Sequence, residues 1–405
     1  MPSVLRYGVE ASLALDLPPE VLLSACAGQG RPSLADPAQA VAEALTEPLD
    51  FPPLARAMVP GDKIVLALEP GLPQAAVIVA EVVRHLADHG AGVEDITVLR
   101  TALDARSGDD PARDLDDARR RQINVLVHNP DDKRQLGLLA TSRRGHAVYL
   151  NRAILDADLV VPIGCLRCEP ATGYYGLYAG LFPSYSDAAT IQRFARPAAP
   201  EKSARLSDDA AEAGWLLGIQ FTIQVVPGEA GGLLAVLAGE AQRVYESGRR
   251  QCREAWSCSV PKRASLVVAA VAGGAGQQTW DNVARAAAAA SRAVVEGGAI
   301  ALCTELAIEP GAAMEQLADT DDLDTALKRI RREAEPDAMA ATELALAREH
   351  AKVYLLSRLD ESLVEHLGMA PVSQAADILR LAKRHPTCIL LPDAQHAVAT
   401  PSDDA

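Results

Sequence analysis

Positive charge is in short supply in this sequence. It carries 39 Lys and Arg against 54 Asp and Glu, a formal net charge of −15. That balance excludes a nucleic-acid-binding surface, because phosphates require a basic footprint, and it argues equally against docking on anionic lipid. Long apolar runs are missing too. No stretch approaches the roughly 18 residues of a membrane helix, and MPSVLRYGVEASLALDLPPE has no apolar core after a basic start, so a signal peptide is not expected. The seven cysteines are an odd number without framework spacing, which suits a reducing cytosol better than a disulfide scaffold. Aromatic residues make up only 4% of the chain.

The catalytic residue types are absent where they would be most useful. No histidine lies between residues 147 and 349, and no lysine between 134 and 201. Gly-x-Ser-x-Gly, His-Glu-x-x-His, Gly-x-G-x-x-Gly and Walker A patterns are all missing. A chain that is 49% hydrophobic over 405 residues still has ample material for a packed core and is long enough for two domains. The abundance of alanine and of Arg over Lys reads as codon bias.

The pattern of what is present is α/β. KIVLAL at 63–68 is a continuous apolar run of strand length, as expected of a strand buried on both faces. An amphipathic helix over 77–88 and a strand over 96–99 follow, which makes a βαβ unit and predicts a parallel sheet. Strands are expected again over 123–128, 157–163 and 219–226, with helices over 35–45, 210–218 and 238–250. A boundary falls near 257–263. A second unit then runs through strands over 264–271, 298–303, 352–356 and 387–391, with helices over 280–295 and near 371–385. The tail ATPSDDA is expected to fray.

Four features stand out as candidate chemistry. CLRCEPATGYYGLYAGLFPSYSD at 165–187 follows a strand's carboxyl end, the edge at which open α/β sheets bind ligands. It contains Arg167, Glu169, Tyr174, Tyr175 and Tyr178, a polar-tipped aromatic wall suited to a small-molecule cleft or equally to core packing. Asp104 also follows a strand, as a candidate base or a solvated loop acid. GGAGQQ at 273–278 separates a strand from a helix; its glycines would allow backbone N–H groups to approach an anion, or simply make a tight turn. Asp281, Asn282 and Arg285 open the helix that follows it. Cys165 and Cys168 form a C-x-x-C without a second ligand pair at zinc spacing, so two ordinary buried thiols are expected and no metal.

Several segments together resemble the nickel-pincer lactate racemase family (LarA-like proteins). They are LADPAQAVAEALTEPLDFPPLARAMVPGDKIVLAL, ILDADLVVPIG, GYYGLYAGLFPSYSDAATI, FTIQVVPGEAGGLLAVLAGEAQRVYESG, GGAGQQTWDN, VVEGGAIALCTEL and LLPDAQHAV, in that order along most of the chain. The resemblance implies two α/β domains with a cleft between them: a LarA-like N-terminal domain over 1–260 and a LarA-like C-terminal domain over 261–405, whose last strand returns to the first. It implies an isomerase that moves a hydride at the α-carbon of a 2-hydroxy acid with a lysine-tethered nickel-pincer nucleotide, two histidine bases, a nickel-ligating histidine and a carboxylate-binding arginine.

Those family residues do not carry over. The Asp-His-Thr-Arg-Pro element reads Glu69-Pro70-Gly71-Leu72-Pro73, the base positions fall at Asp104 and near Glu169 or Pro170, the tethering lysine falls at Ala179, and the nickel histidine falls within 194–197, where there is none. The tyrosine-glutamine-lysine helix start reads Trp280-Asp281-Asn282 with Arg285. The expectation is therefore a cytoplasmic protein that acts on or binds a small 2-hydroxy acid. Asp104 and Glu169 would be catalytic, and Arg167, Tyr174, Tyr175, Tyr178, Asp281, Asn282 and Arg285 would line the cleft. No cofactor, metal, nucleic-acid or membrane partner is expected, and homo-oligomerisation is left open. A non-catalytic paralogue that binds a ligand or a protein is the alternative.

Overall fold

The structure, a computed structural model, describes residues 3–26, 32–168, 176–178, 180–195, 200–318, 320 and 322–402. The strands in chain order are β1 (Ser3–Tyr7), β2 (Ala11–Leu15), β3 (Leu22–Ala25), β4 (Ile64–Leu68), β5 (Ile96–Thr101), β6 (Asn124–His128), β7 (Leu136–Thr141), β8 (Ala147–Asn151) and β9 (Leu159–Cys165). They continue as β10 (Phe221–Pro227), β11 (Leu233–Glu240), β12 (Ser257–Val260), β13 (Ala264–Ala270), β14 (Val294–Cys303), β15 (Lys352–Leu356), β16 (Ala370–Val372), β17 (Cys388–Leu391) and β18 (Val398–Pro401).

Two six-stranded sheets organise the chain. The first has the order β11-β10-β9-β4-β5-β6 and the second β16-β15-β14-β13-β17-β3. All pairings in the second sheet are parallel. The first is parallel except for its edge strand β11. The apolar runs behave as their composition requires: every residue of β4 is buried, and β10 and β13 are buried almost throughout.

Each sheet reverses its winding once. In the first, the chain steps outward from β4 through β5 to β6, then returns to lay β9 on β4's other side. In the second, it steps from β13 through β14 and β15 to β16, then returns with β17. The carboxyl ends flanking such a reversal leave a crevice. Here those ends are followed by Glu69, Arg167, the 273–278 turn and the 393–396 loop.

The two sheets do not divide the chain at residue 260. β3 pairs with β17 and so belongs to the second sheet, and the β1–β2 hairpin packs Leu5, Leu13 and Leu15 onto its β13 face. The last strand, β18, pairs with β12 rather than with the first sheet, so Val398–Pro401 is paired and not frayed. The β7 strand and the β11 strand, which extends to Glu240 before the Ala241–Trp256 helix begins, were not expected. An apolar run that ends a strand reads just like one that begins a helix. Alanine has a structural use as well: the Trp280–Ala293 helix buries Ala284, Ala286, Ala287 and Ala290 against the alanine-rich Ala338–His350 helix, in one core with β13 and β14. Small side chains allow those two helices to approach closely.

The cysteine reading needs one correction. Cys26 and Cys258 form a disulfide across 232 residues of sequence, tying β3's exit to β12. Sequence spacing could not reveal a pair so far apart. Cys165 and Cys168 are indeed buried free thiols. No helix among the described residues is long and apolar enough to cross a membrane.

Candidate functional site

A cavity of about 150 Å³ opens where the two reversals meet. Its first wall comes from the carboxyl ends of β4, β5 and β9 and carries Glu69, Gly71, Asp104, Ser107 and Arg167. Its second wall comes from the turn and helix after β13, with Gly276, Thr279, Asp281, Asn282 and Arg285.

Glu69 is held from two sides. Its Oε2 accepts the Cys165 backbone N–H at 2.8 Å, and its Oε1 lies 3.5 Å from the Arg167 guanidinium. The carboxylate crosses directly over Gly164, where a Cβ would stand 2.7 Å from Glu69 Oε2 and 2.9 Å from the Gln224 amide. Glycine is thus required at the end of β9 for Glu69 to reach Arg167. Tyr185 steadies the same edge from below: its fully buried hydroxyl lies 2.5 Å from the Leu68 carbonyl and 2.7 Å from that of Leu99, and donates between them.

Asp104 sits in the short Ala102–Arg106 helix, with its own N–H accepted by Thr101 Oγ1. Its carboxylate is already engaged, 2.7 Å from the buried Arg100 guanidinium and accepting the Gly71 N–H at 3.2 Å. Arg100 also donates to the Asp104 and Asp109 carbonyls. The pair ties β5 to the loop after β4. This is the geometry of a positioned carboxylate, with less freedom than a loop acid would have.

The opposite wall begins with Thr279, whose Oγ1 caps the Trp280–Ala293 helix by accepting the Asn282 N–H. Asn282 is buried; its amide donates to the Gln277 carbonyl at 2.8 Å, and its Oδ1 accepts Arg285 Nη1 at 2.9 Å. Gln277 in turn reaches across to donate to the Gly71 carbonyl at 2.6 Å, joining the walls. Asp281 has no hydrogen-bond or ion-pair partner among the described residues. Protein displaces most of the water around Asp281 and Arg285. Desolvation raises the Asp281 carboxyl above the usual carboxylate range, opposed by Arg285 and Arg167. It lowers the Arg285 guanidinium to about 10, helped by repulsion from Arg167.

The glycine turn at 273–278 serves packing first. A Cβ on Gly231, in the β10–β11 connection, would stand 2.7 Å from Gly273 Cα, so the two loops touch backbone to backbone. Gly231 and Gly273 also have φ of +75° and +118°, conformations that favour glycine.

The structure thus brings Asp104, Arg167, Asp281, Asn282 and Arg285 around one cavity. Tyr178 is elsewhere: its ring lies against Gly214 of the Pro200–Leu216 helix, where a Cβ would meet the ring at 2.4 Å, and it packs into the core beside Phe182 and Phe194. Glu169, Tyr174 and Tyr175 lie outside the described residues. Glu69 was not among the expected site residues, although it immediately follows β4, an apolar strand buried throughout. His396 was missed as well. It stacks on Trp256 at 5.3 Å, and burial, reinforced by Arg167 and Arg285, depresses its imidazole well below the ordinary range.

Comparison with known proteins bears on this arrangement. Residues 7–205 match the lactate racemase N-terminal domain. No curated protein matches the sequence. Among solved structures, the lactate racemase apoprotein of Thermoanaerobacterium thermosaccharolyticum superposes with a TM-score of 0.74 at 18% identity, covering 98% of this chain and 100% of its own. A structural-genomics protein from Thermotoga maritima superposes with a TM-score of 0.65 at 12% identity, covering 90% of this chain and 98% of its own. At such identities the likeness is one of fold. The N-terminal half, residues 7–205, is thus similar to the lactate racemase N-terminal domain, and the chain as a whole has the lactate racemase fold.

Proposed function

We propose that the cavity between the two sheets binds a small 2-hydroxy acid, with the ligand carboxylate on Arg285. The observation that carries this reading is the pairing of a desolvated guanidinium with an unpartnered, desolvated carboxyl one helical turn away, Arg285 and Asp281, in a cavity of small-molecule size. A guanidinium in a water-poor site pairs strongly with a carboxylate. A carboxyl raised by desolvation and left without a protein partner is suited to hydrogen-bond the ligand's hydroxyl. Asp281 takes this role in preference to Asp104, whose oxygens are occupied by Arg100 and Gly71. Arg167, steered by Glu69, faces the same space.

The residues present do not fit the family's tethered nickel-pincer nucleotide. Alanine at 179 cannot form the lysine adduct. Leu72, at the position of the family's carboxylate-binding arginine, is buried in the core of the first sheet. Phe194, at the start of the segment where the nickel histidine would fall, packs edge-on against Phe182 at 5.2 Å in the core and has no metal-donor atom. We therefore assign the chain no step that depends on that group. The cytoplasmic placement remains a proposal from composition.

The test is calorimetric titration of the full chain with D- and L-lactate, alongside Arg285→Gln and chiral analysis of the recovered ligand. Millimolar or tighter binding by the native chain, weakened at least tenfold in the variant with unchanged circular dichroism, is expected. Equal affinity in both proteins would refute the assignment of Arg285. An intact mass carrying a nucleotide adduct, with interconversion of the enantiomers, would overturn the reading that the pincer group is absent.

A further inference from the structure

Two free thiols touch each other outside the site described above. Cys168 Sγ stands 3.2 Å from Cys252 Sγ, inside the van der Waals separation of two sulfur atoms, yet the two are not bonded. Cys168 follows Arg167 beyond the end of β9, and Cys252 lies in the Ala241–Trp256 helix, 84 residues on. Both are buried, at 7% and 1% exposure, among Leu166, Val226, Ala255 and Trp256. A disulfide holds its sulfurs about 2.05 Å apart, so this pair closes with a shift of about 1 Å.

A cavity of about 30 Å³ is lined by both cysteines together with Arg285, Gln395 and His396. Arg292, exposed on the Trp280–Ala293 helix, also lines it, so the space borders the surface. Two buried atoms of these lining residues have no hydrogen-bond partner among the described residues: Arg285 Nε, a donor, and Gln395 Oε1, an acceptor. The Gln395 amide nitrogen donates to the Ala272 carbonyl at 3.0 Å, which identifies the oxygen as the free end. A water needs about 10–15 Å³ of such space, so 30 Å³ corresponds to two oxygen atoms. Hydrogen peroxide has that size, and it both accepts and donates. No carboxylate lines the cavity, and an electropositive setting with restricted access is one in which a cysteine sulfur reacts.

We propose that Cys168 and Cys252 form a peroxide-reactive dithiol, with hydrogen peroxide entering this cavity as the oxidant. Cys168, the more exposed sulfur, gives up its proton and attacks one peroxide oxygen, and the O–O bond breaks. Cys168 becomes a sulfenic acid, and the departing hydroxide takes up a proton to leave as water. The Cys252 sulfur then attacks the Cys168 sulfur; the S–S bond forms, the S–O bond breaks, and a second water leaves with the Cys252 proton. Two thiols are oxidised by two electrons, and one peroxide is reduced to two waters. Cys252 takes the second step because its thiol is held protonated, first by the hydrogen bond with Cys168 and then by burial. The first of these causes ends once Cys168 carries oxygen. The new bond ties the segment bearing Arg167 to the Ala241–Trp256 helix.

The experiment treats the full chain with one equivalent of hydrogen peroxide at neutral pH, quenches it with catalase at intervals, and alkylates it in denaturant without reduction before peptide mass analysis. Two of the five free thiols are expected to disappear together, as a linked Cys168–Cys252 peptide pair. They should do so at least tenfold faster than Cys165, Cys303 and Cys388, the other buried thiols. Cys252→Ser should halt at a Cys168 sulfenic acid that dimedone traps, and Cys168→Ser should leave Cys252 as slow as the other three. In the native chain, loss of the pair no faster than of those three, or a Cys168 sulfinic acid without a disulfide, would overturn the proposal. A bond from Cys168 to Cys165 in place of Cys252 would overturn it as well.

Discussion

Asp393 offers the sharpest physical test of how the two sheets are joined. It lies in the loop after β17, 3% exposed, and its Oδ1 accepts the Ala230 N–H at 2.9 Å from the loop between β10 and β11. Burial lifts its carboxyl from the ordinary 3.8 to about 7, with Glu229 adding to the effect and Arg6 and the Ala230 N–H opposing it. Between those two values the native state holds a proton that the unfolded chain has released, so stability falls as pH rises through this window, and the loss is complete above about 7. At 1.36 kcal/mol per pH unit, the full window amounts to about 4 kcal/mol. From pH 5 to pH 8 two pH units of it are crossed, about 3 kcal/mol. Asp393→Asn keeps the carbonyl acceptor and tolerates the left-handed φ of 46° at this position, while removing the titration. Spread over roughly 2.1 cal/mol/K per residue, 3 kcal/mol corresponds to a melting shift of about 3–4 °C for a chain of 405 residues that unfolds as a unit. The assay is the melting temperature of both proteins by calorimetry at half-unit intervals from pH 5 to 8.5. The variant should gain on the native chain steadily up to pH 7 and hold a constant advantage above it. Curves that stay parallel across this range would refute the argument.

The remaining predictions follow from single contacts. Gly164→Ala puts a methyl group where Glu69 Oε2 and the Gln224 amide now lie, so it should cost about 1–3 kcal/mol and weaken lactate binding by displacing Arg167's partner; an unchanged melting temperature and affinity would show that Glu69 does not need that space. Thiol titration of the denatured, unreduced protein should find five reactive cysteines and one disulfide. Seven would mean that Cys26 and Cys258 are not joined. In the oxidised protein, Cys26→Ser with Cys258→Ser should lose about 2–5 kcal/mol of stability.

How much of this was legible in the sequence depended on the range of the interaction. β4, β9 and β13 could be read from consecutive residues, because a strand covered on both faces must be apolar throughout. The parallel sheet followed from strand–helix spacing. β3 was not legible: four residues with no helical or alternating pattern gain their meaning only by pairing with β17, more than 360 residues later. The same holds for Cys26 with Cys258. Within the site, Asp104, Arg167 and Arg285 could be found because each follows a strand end or opens a helix. What Asp104 does there was not readable, because its partner Arg100 faces inward from β5, where an arginine looks like an interruption of the strand. Glu69 was passed over for a similar reason. Its position was seen as a departure from a family motif, whereas the chemistry depends on Gly164, 95 residues away, leaving room for it to reach Arg167. The cavity arises because both sheets reverse their winding at strands whose carboxyl ends face each other. Neither half of the sequence contains that fact, so a site built between two reversals shows its residues in the sequence but not their pairing.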